Sequence, residues 1–406
     1  MSLRVTIESL AAGGDGVGRL EDGRVVFVPR SCAGDVLDVS LTEEKKSYTR
    51  AAIDVVVSAG TGRREPSCAH FAEARCGGCQ WLHLEEDVQA AAKSQLVASA
   101  LRNVTGEVVI EPMVSVAPPT HWRRRARFHW IRPKGSAAAV IGFAAPRSKR
   151  VTEPTGCVQL HPALESIRQL CVRHLAEHLH KRGEIDVIIN SEGNALASVR
   201  GPHARRGLEA LAREETVLGV KGRGRPIGLE AFEIDDGLPA TVGGFAQASA
   251  TGNHALLSLV ARALGHVGTS GAALELFAGS GNLTRALSKV FDRVVAVERQ
   301  EGPRIELENV EWLIAESAPA LKTVAAAGER FELVLLDPPR TGAAECIDGI
   351  VLLKPSAIVY VSCDPATLAR DLLRLQGGGY KLELVSPIDI MPQTSHVEVV
   401  AVLRRA

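Results

Sequence analysis

Several groups of residues in the 406-residue chain join reactive side chains to spacings that core packing does not require. Tyr360-Val361-Ser362-Cys363-Asp364-Pro365 places a thiol just past an apolar, strand-like run. A thiolate there is a nucleophile, whereas a buried cysteine with no further role is a small hydrophobe. Phe331–Leu336 ends in Asp337-Pro338-Pro339-Arg340, where paired prolines hold the backbone and Asp337 is available to read a planar base. In Thr394-Ser395-His396-Val397-Glu398, Glu398 interrupts a strongly apolar terminal run that continues through Val399 and Val400. A carboxylate shielded from water in this way suits general-base work, with His396 the weaker substitute.

Leu274–Phe277 runs into Ala278-Gly279-Ser280-Gly281-Asn282, a strand followed by a glycine turn and then a helical pattern. Glycines admit close approach of a ligand to the backbone, and Glu298, ending the next strand, can accept from both hydroxyls of a ribose. The pattern points to a nucleoside-type cofactor, and a dinucleotide would fit it as well. Cys68, Cys76 and Cys79 follow a C-x7-C-x2-C spacing, with Cys157 far downstream in Thr155-Gly156-Cys157. Four thiolates suit tetrahedral zinc or an iron–sulfur cluster, and spacing does not choose between them. Cys32, Cys171 and Cys346 have no such partners and read as structural thiols.

These residues make sense as one reaction. Adding a thiolate to carbon 6 of uracil makes carbon 5 electron-rich enough to take an alkyl group, and the proton left on carbon 5 must then be removed before the thiolate can leave. Cys363 is the candidate nucleophile and Glu398 the candidate base.

The elements that position them fall into three stretches. Residues 1–60 alternate apolar positions at Leu3–Ile7, Val25–Val28, Val36–Leu41 and Ile53–Val57 between turn-formers, the pattern of a small β-barrel. Within it Lys45–Arg50 adds cations and one tyrosine suited to RNA contact. Residues 61–235 form a central unit. It has helical spacing over 81–104, a basic strand at His121–Trp130 with four arginines among aromatics, helices near 161–180 and 205–213, and strands at Asp186–Asn190 and Ala195–Val199. Residues 81–115 are expected to pack on the last unit. From 236 to 406, strands at Ala273–Phe277, Val294–Val297, Leu333–Leu336 and Ile358–Ser362 alternate with helices, which predicts a doubly wound, mostly parallel α/β sheet.

Lys plus Arg and Asp plus Glu both number 47, so net charge does not argue for nucleic-acid binding and only local clusters can. The N-terminus lacks the layout of a signal peptide and no apolar run spans a membrane, so a cytoplasmic location in a reducing compartment is expected, without a membrane partner and as a monomer.

Taken together the residues resemble the RNA uracil-5-methyltransferase family, in particular its 23S ribosomal branch. The resemblance runs over the whole chain and is most specific at Cys76-Gly77-Gly78-Cys79-Gln80, Asp337-Pro338-Pro339-Arg340, Ser362-Cys363-Asp364-Pro365 and His396-Val397-Glu398. It implies an N-terminal TRAM barrel, a central α+β domain with a [4Fe-4S] cluster held by Cys68, Cys76, Cys79 and Cys157, and a Rossmann-like methyltransferase domain. It also implies S-adenosylmethionine contacted by Gln247, Phe277, Asn282, Glu298, Ser317 and Asp337, with Cys363 as nucleophile and Glu398 as base. The implied substrate is 23S ribosomal RNA; transfer RNA, cytosine-5 methylation and a non-catalytic RNA-binding role are the competing readings. Three features depart from the family pattern: Ser249 closes a Phe245-Ala246-Gln247-Ala248-Ser249 motif that ordinarily ends in Asn, Arg299–Arg304 breaks the helix expected after Glu298, and Ser317 stands where Asn or Asp is common.

Overall fold

The computed structural model describes residues 3–104, 108–116, 118–235, 237–268 and 270–406. Strands Leu3–Leu10, Gly16–Arg19, Val25–Val28, Val36–Glu44 and Tyr48–Ser58 close into a barrel, with 48–58 lying between 25–28 and 36–44. Its core is Val5, Ile7, Leu20, Val26, Val28, Leu37, Val39 and Ala51. Gly16–Arg19 is a strand that the glycine-rich spelling conceals: Gly16 and Gly18 sit where a Cβ would overlap Ser31 and the Thr6 carbonyl, so small residues are required for this pairing. The basic segment is less open than its spelling suggests, because Lys45 pairs with Glu43, and Arg50 with Glu43 and Asp15.

The central unit is a seven-stranded sheet in the order 151–152, 140–144, 125–131, 182–189, 195–200, 217–221 and 227–228. In strand Arg125–Ile131, Ala126, Phe128 and Trp130 turn into the core shared with helix Pro162–Leu175, while Arg125, Arg127 and His129 take the other face. A period of two thus separates core from charge along one strand.

The C-terminal unit is a nine-stranded sheet in the order 310–314, 293–298, 272–276, 333–336, 357–362, 398–405, 380–389 and 109–110, with 114–115 also paired to 380–389. The first five strands are parallel and Glu398–Arg405 runs antiparallel between two neighbours. Helices Glu86–Leu101, Ser317–Ala326, Ile347–Leu353 and Pro365–Gly377 bury one face, and Ala250–Val267 with Thr284–Leu287 buries the other. The segment 86–115 therefore contributes a helix and two short strands to this sheet. That helix starts at Glu86 rather than at 81: Trp81, Leu82, His83 and Leu84 are buried in a turn, where His83 hydrogen-bonds the Ser31 carbonyl of the barrel. Successive strands diverge on either side of 272–276 and 333–336, which makes the carboxyl ends of this pair the switch point where an open α/β sheet forms its ligand crevice.

Candidate active site

A cavity of about 940 Å³ opens at that switch point and extends to the charged face of the central sheet. Phe277, Gly279, Ser280, Glu298, Ser317, Asp337, Cys363, Glu398 and Gln247 all line it. Strand 272–276 stops one residue short of its expected end because Phe277 adopts φ of 62°, a left-handed conformation costly for a side chain of this size. Gly281 has no freedom either: a Cβ there would lie 2.4 Å from Ile305, while around Gly279 no atom would meet one within 4 Å. One glycine packs against the chain and the other leaves its backbone open to a ligand.

Glu298 ends its strand with one carboxylate oxygen accepting from Gly279 N at 2.9 Å and the other from Gln300 N at 2.9 Å. Both oxygens keep a lone pair for further donors. The crossover from Glu298 to the strand Val310–Ile314 contains no helix; Arg304 stacks on Trp312 instead, with 5.1 Å to the ring centroid, and Ile305 N bonds the Ser280 carbonyl at 3.0 Å. Ser317 begins the next helix and is buried against the cavity. Asn282 stands apart: its amide exchanges hydrogen bonds with Asn253 at 2.7 and 2.9 Å, and it is not among the lining residues.

Behind Gln247 lies a charge network that spacing did not reveal. Arg124 pairs bidentately with Asp235 at 2.7 Å and donates to the Gln247 carbonyl at 3.1 Å, and Asn253 reaches the same aspartate at 3.3 Å. Ser249, in place of the usual Asn, caps helix 250–267 by accepting from Gly252 N at 2.9 Å, a role that serine and asparagine fill about equally well.

At the reacting end, Cys363 lies between strand 357–362 and helix 365–377, whose N-terminus is capped by Asp364 Oδ1 accepting from Ala366 N and Thr367 N at 3.0 Å. Thr367 also donates to the Arg340 carbonyl at 3.1 Å, tying the two loops together. Buried Asp371 braces the loop that follows, accepting from Ala343 N and from the Tyr360 hydroxyl, each at 2.8 Å.

Desolvation pushes the Cys363 thiol up to about 12, with the charges of Glu398 and Asp337 adding to it and Arg340 opposing. Asp337 is pushed up to about 7 by desolvation, and buried Glu398 well above the usual range by desolvation and then by Asp337. Three acidic groups thus compete for ionisation under one guanidinium. His396 is pushed down to about 4 by burial and then by Arg340, so its neutral ring accepts from Arg340 at 3.1 Å. Glu275, unremarked in the sequence, is fully buried beneath the glycine loop and raised to about 8 by desolvation; an acid inside Ala272–Leu276 was the available signal.

Cys68, Cys76, Cys79 and Cys157 all line a second cavity, of about 180 Å³, with Phe71, Phe143 and Pro154. Gly77 N anchors the first loop to the Ala144 carbonyl at 2.9 Å, and the His70 ring accepts from Thr155 N at 3.0 Å, drawing the Cys157 turn toward the others. Burial and then the neighbouring thiols raise Cys76 to about 11 and Cys79 further, offset at Cys76 by the Gly78 N–H. Among the described residues no three of His, Cys, Asp or Glu are grouped so as to hold a single metal ion. Cys32, Cys171 and Cys346 are buried in the packed interior.

The parallel sheet with its glycine loop, terminal acid and reversed last strand pair defines a nucleoside-cofactor methyltransferase fold carrying a cysteine and a glutamate in one cavity. Residues 2–53 match the TRAM domain and residues 317–406 the tRNA (Uracil-5-)-methyltransferase family. The 23S rRNA (uracil(1939)-C(5))-methyltransferase RlmD of Edwardsiella ictaluri is 33% identical over 427 residues, covering 100% of this chain and 96% of that protein. The protein of the same name from Pseudomonas entomophila is 32% identical, covering 98% and 92%. The crystal structure of Pyrococcus abyssi tRNA (uracil-54, C5)-methyltransferase with S-adenosyl-L-homocysteine superposes over 99% of this chain and 100% of its own, with a TM-score of 0.70 at 19% identity, a likeness of fold. The chain belongs to the RNA uracil-C5-methyltransferase family. No helix among the described residues is long and apolar enough to cross a membrane.

Proposed function

We propose that the chain methylates carbon 5 of a uridine in 23S ribosomal RNA, using S-adenosylmethionine as methyl donor. The observation that carries the reading is the meeting of Cys363, Asp337 and Glu398 in one cavity with the glycine loop and Glu298. The substrate follows the names of the full-length relatives. S-adenosylmethionine, bound along Phe277, Glu298, Ser317, Asp337 and Gln247, supplies an electrophilic methyl group; the backbone left open at Gly279 and the spare lone pairs of Glu298 suit its ribose and amino-acid ends. Asn282 acts on that site through Asn253.

The chain's own groups do the rest. Cys363 loses its proton to a neighbouring carboxylate and adds through sulfur to carbon 6, which puts the electron pair of the ring double bond at carbon 5. Arg340 offsets the negative charge gathered there. Once carbon 5 is methylated, Glu398 takes its remaining proton, the ring double bond re-forms, and the carbon–sulfur bond breaks with its electrons returning to Cys363.

The four-cysteine cavity is read as a [4Fe-4S] site. Four thiols lining one largely apolar cavity suit a thiolate-held cluster, in keeping with the family resemblance. The transfer moves no net electrons, so its role is to hold the loops and dock RNA. Arg123 and Arg127 line both cavities, and with Arg125 and Phe245, a residue 70% exposed, they offer cations and a stacking face to RNA. A cytoplasmic monomer completes the reading.

The test is transfer of label from S-adenosylmethionine to unmodified 23S ribosomal RNA and transfer RNA, followed by digestion to nucleosides. Labelled 5-methyluridine from ribosomal RNA alone is expected. Label confined to transfer RNA would overturn the substrate and keep the chemistry, and label in 5-methylcytidine would overturn both.

A further inference from the structure

Helix 86–101 carries a lysine into the interior. Lys93 is fully buried; its ammonium lies 2.5 Å from Asp389 Oδ1 and donates to the Met391 carbonyl at 3.3 Å. One turn earlier on the same face, Gln89 donates to the side chain of Gln393 at 2.8 Å and accepts from Gln393 N at 2.8 Å. Gln393 has φ of 66°, and its carbonyl accepts from Gln80 N and Trp81 N at 3.1 and 3.0 Å. The Met391 carbonyl also accepts from Thr394 Oγ1 at 2.7 Å, and that hydroxyl accepts from His396 N at 3.3 Å. A relay of hydrogen bonds thus runs from Lys93 to His396, two residues before Glu398.

The barrel closes the assembly from behind. Trp81 Nε1 donates to the Gly14 carbonyl at 3.0 Å, and a Cβ at Gly14 would lie 2.6 Å from Gln80 and 3.5 Å from Ser395. Stability alone is a weak reason for this arrangement, since an apolar pair of similar volume commonly serves as well as a buried ion pair. What the charge pair does is hold one geometry in the segment 389–394, which links strand Tyr380–Asp389 to Glu398 and puts Met391 on the cavity wall.

We propose that Lys93 is a positioning residue for proton abstraction: with Gln89 it fixes residues 389–394 so that Glu398 reaches the proton on carbon 5. The inference rests on Glu398 being the base. With Glu398 displaced, addition and methylation proceed, but the proton stays and the carbon–sulfur bond does not break, so methylated RNA remains attached to Cys363.

The experiment uses full-length K93M, the double variant K93M/D389N and E398Q with unmodified 23S ribosomal RNA and labelled S-adenosylmethionine, scoring protein-bound RNA on denaturing gels beside released 5-methyluridine. K93M is expected to lower kcat about 100-fold, the scale of a misplaced catalytic group, with KM for RNA changed less than about threefold and with label in the covalent adduct. K93M/D389N removes the unpaired carboxylate while keeping the Oδ1 acceptor for Met391 N, so its thermal midpoint recovers while turnover does not. Recovery of turnover together with the midpoint would reduce Lys93 to a stabilising role and overturn the proposal, as would parallel loss of adduct and product in K93M. Normal release by E398Q would instead remove Glu398 as base, whatever K93M does.

Discussion

The two cavities both gather groups that are weakly acidic thiols or carboxylic acids in water, and burial raises pKa values in both, yet they are built to opposite ends. In the larger one Cys363, Asp337 and Glu398 share a single guanidinium, Arg340, and burial raises all three. Carboxyl groups that can take up and release protons therefore stand beside the nucleophile, which is what addition and elimination at one ring require. In the smaller one four thiols face each other among Phe71, Phe143 and Pro154 with no carboxylate on the wall. His70, Arg123 and Arg127 share that wall, yet burial and the neighbouring thiols still raise Cys76 and Cys79, with Arg123 opposing at Cys79. The larger cavity mixes a nucleophile with carboxyl groups, whereas the smaller gathers four like thiols, and the cluster proposal rests on that difference.

The sharpest way to break this comparison is at the nucleophile. Cys363→Ala is expected to lower methyl transfer by about 10⁴-fold or more, with no protein-bound RNA, while leaving RNA affinity near that of the native protein. Transfer surviving at a tenth of the native rate would mean that the thiol only fills space. The matching change in the other cavity, Cys79→Ala, is expected to act through the fold: loss of the visible absorbance of an iron–sulfur cluster, a lower thermal midpoint, and a fall in activity that follows the fraction unfolded. A chelator under reducing conditions should reproduce those losses in the native protein. Chelation without effect on absorbance or midpoint would refute the ligand reading.

A second contrast lies in pH. Asp337 sits about three pH units above its unfolded value near 3.8, so between roughly pH 4 and 7 the folded state holds a proton that the unfolded state has released. Stability contributed by this group therefore falls as pH rises through that window. Activity follows the opposite sign, because the carboxylate must be ionised to accept the proton of Cys363, and kcat/KM should climb as pH rises through about 7. Asp337→Asn is expected to be slower at every pH, to lose that inflection, and to be more stable than the native protein at pH 8 by on the order of 2 kcal/mol, a value below the full shift to allow for relaxation. Thermal melts at pH 5 and pH 8 check the sign; a native protein more stable at the higher pH in proportion to this residue would contradict the desolvation argument.

How much of this was legible in the sequence depends on the range of the interaction. Strand 357–362 with Cys363 at its end, and strand 333–336 with Asp337, were readable because an apolar run and its terminating prolines are local. Gly16–Arg19 was not, since only the neighbours at Ser31 and Thr6 require its glycines. Nothing local in the sequence marks Lys93 or Glu275 as buried; their burial follows from a partner 296 positions away for Lys93 and from the helices covering strand 272–276 for Glu275. Asn282 shows the reverse limit: the family resemblance implied a cofactor contact for it, while Asn253 on a different helix takes its side chain. A motif fixes where the backbone goes, and the long-range partner decides where the side chain points.

The smallest expected effect concerns Glu298, whose two oxygens already accept the Gly279 and Gln300 amides. Glu298→Gln keeps the size and one acceptor but turns the other into an amide donor facing an N–H, so either the loop shifts or the ribose loses a charge-assisted partner. Such a bond contributes about 1.5–3 kcal/mol, which predicts a KM for S-adenosylmethionine raised by roughly 10- to 150-fold with kcat changed little. Because the crossover 299–309 lacks a helix, the loop is held here chiefly by Glu298 itself and by Ile305 N on the Ser280 carbonyl. Glu298→Ala, which leaves both amides free for solvent, should therefore raise KM further and also lower the thermal midpoint of the cofactor-free protein. A KM unchanged in Glu298→Gln with the midpoint lowered would assign the residue to loop structure alone, and the cofactor's ribose would then have to be held by the backbone around Gly279.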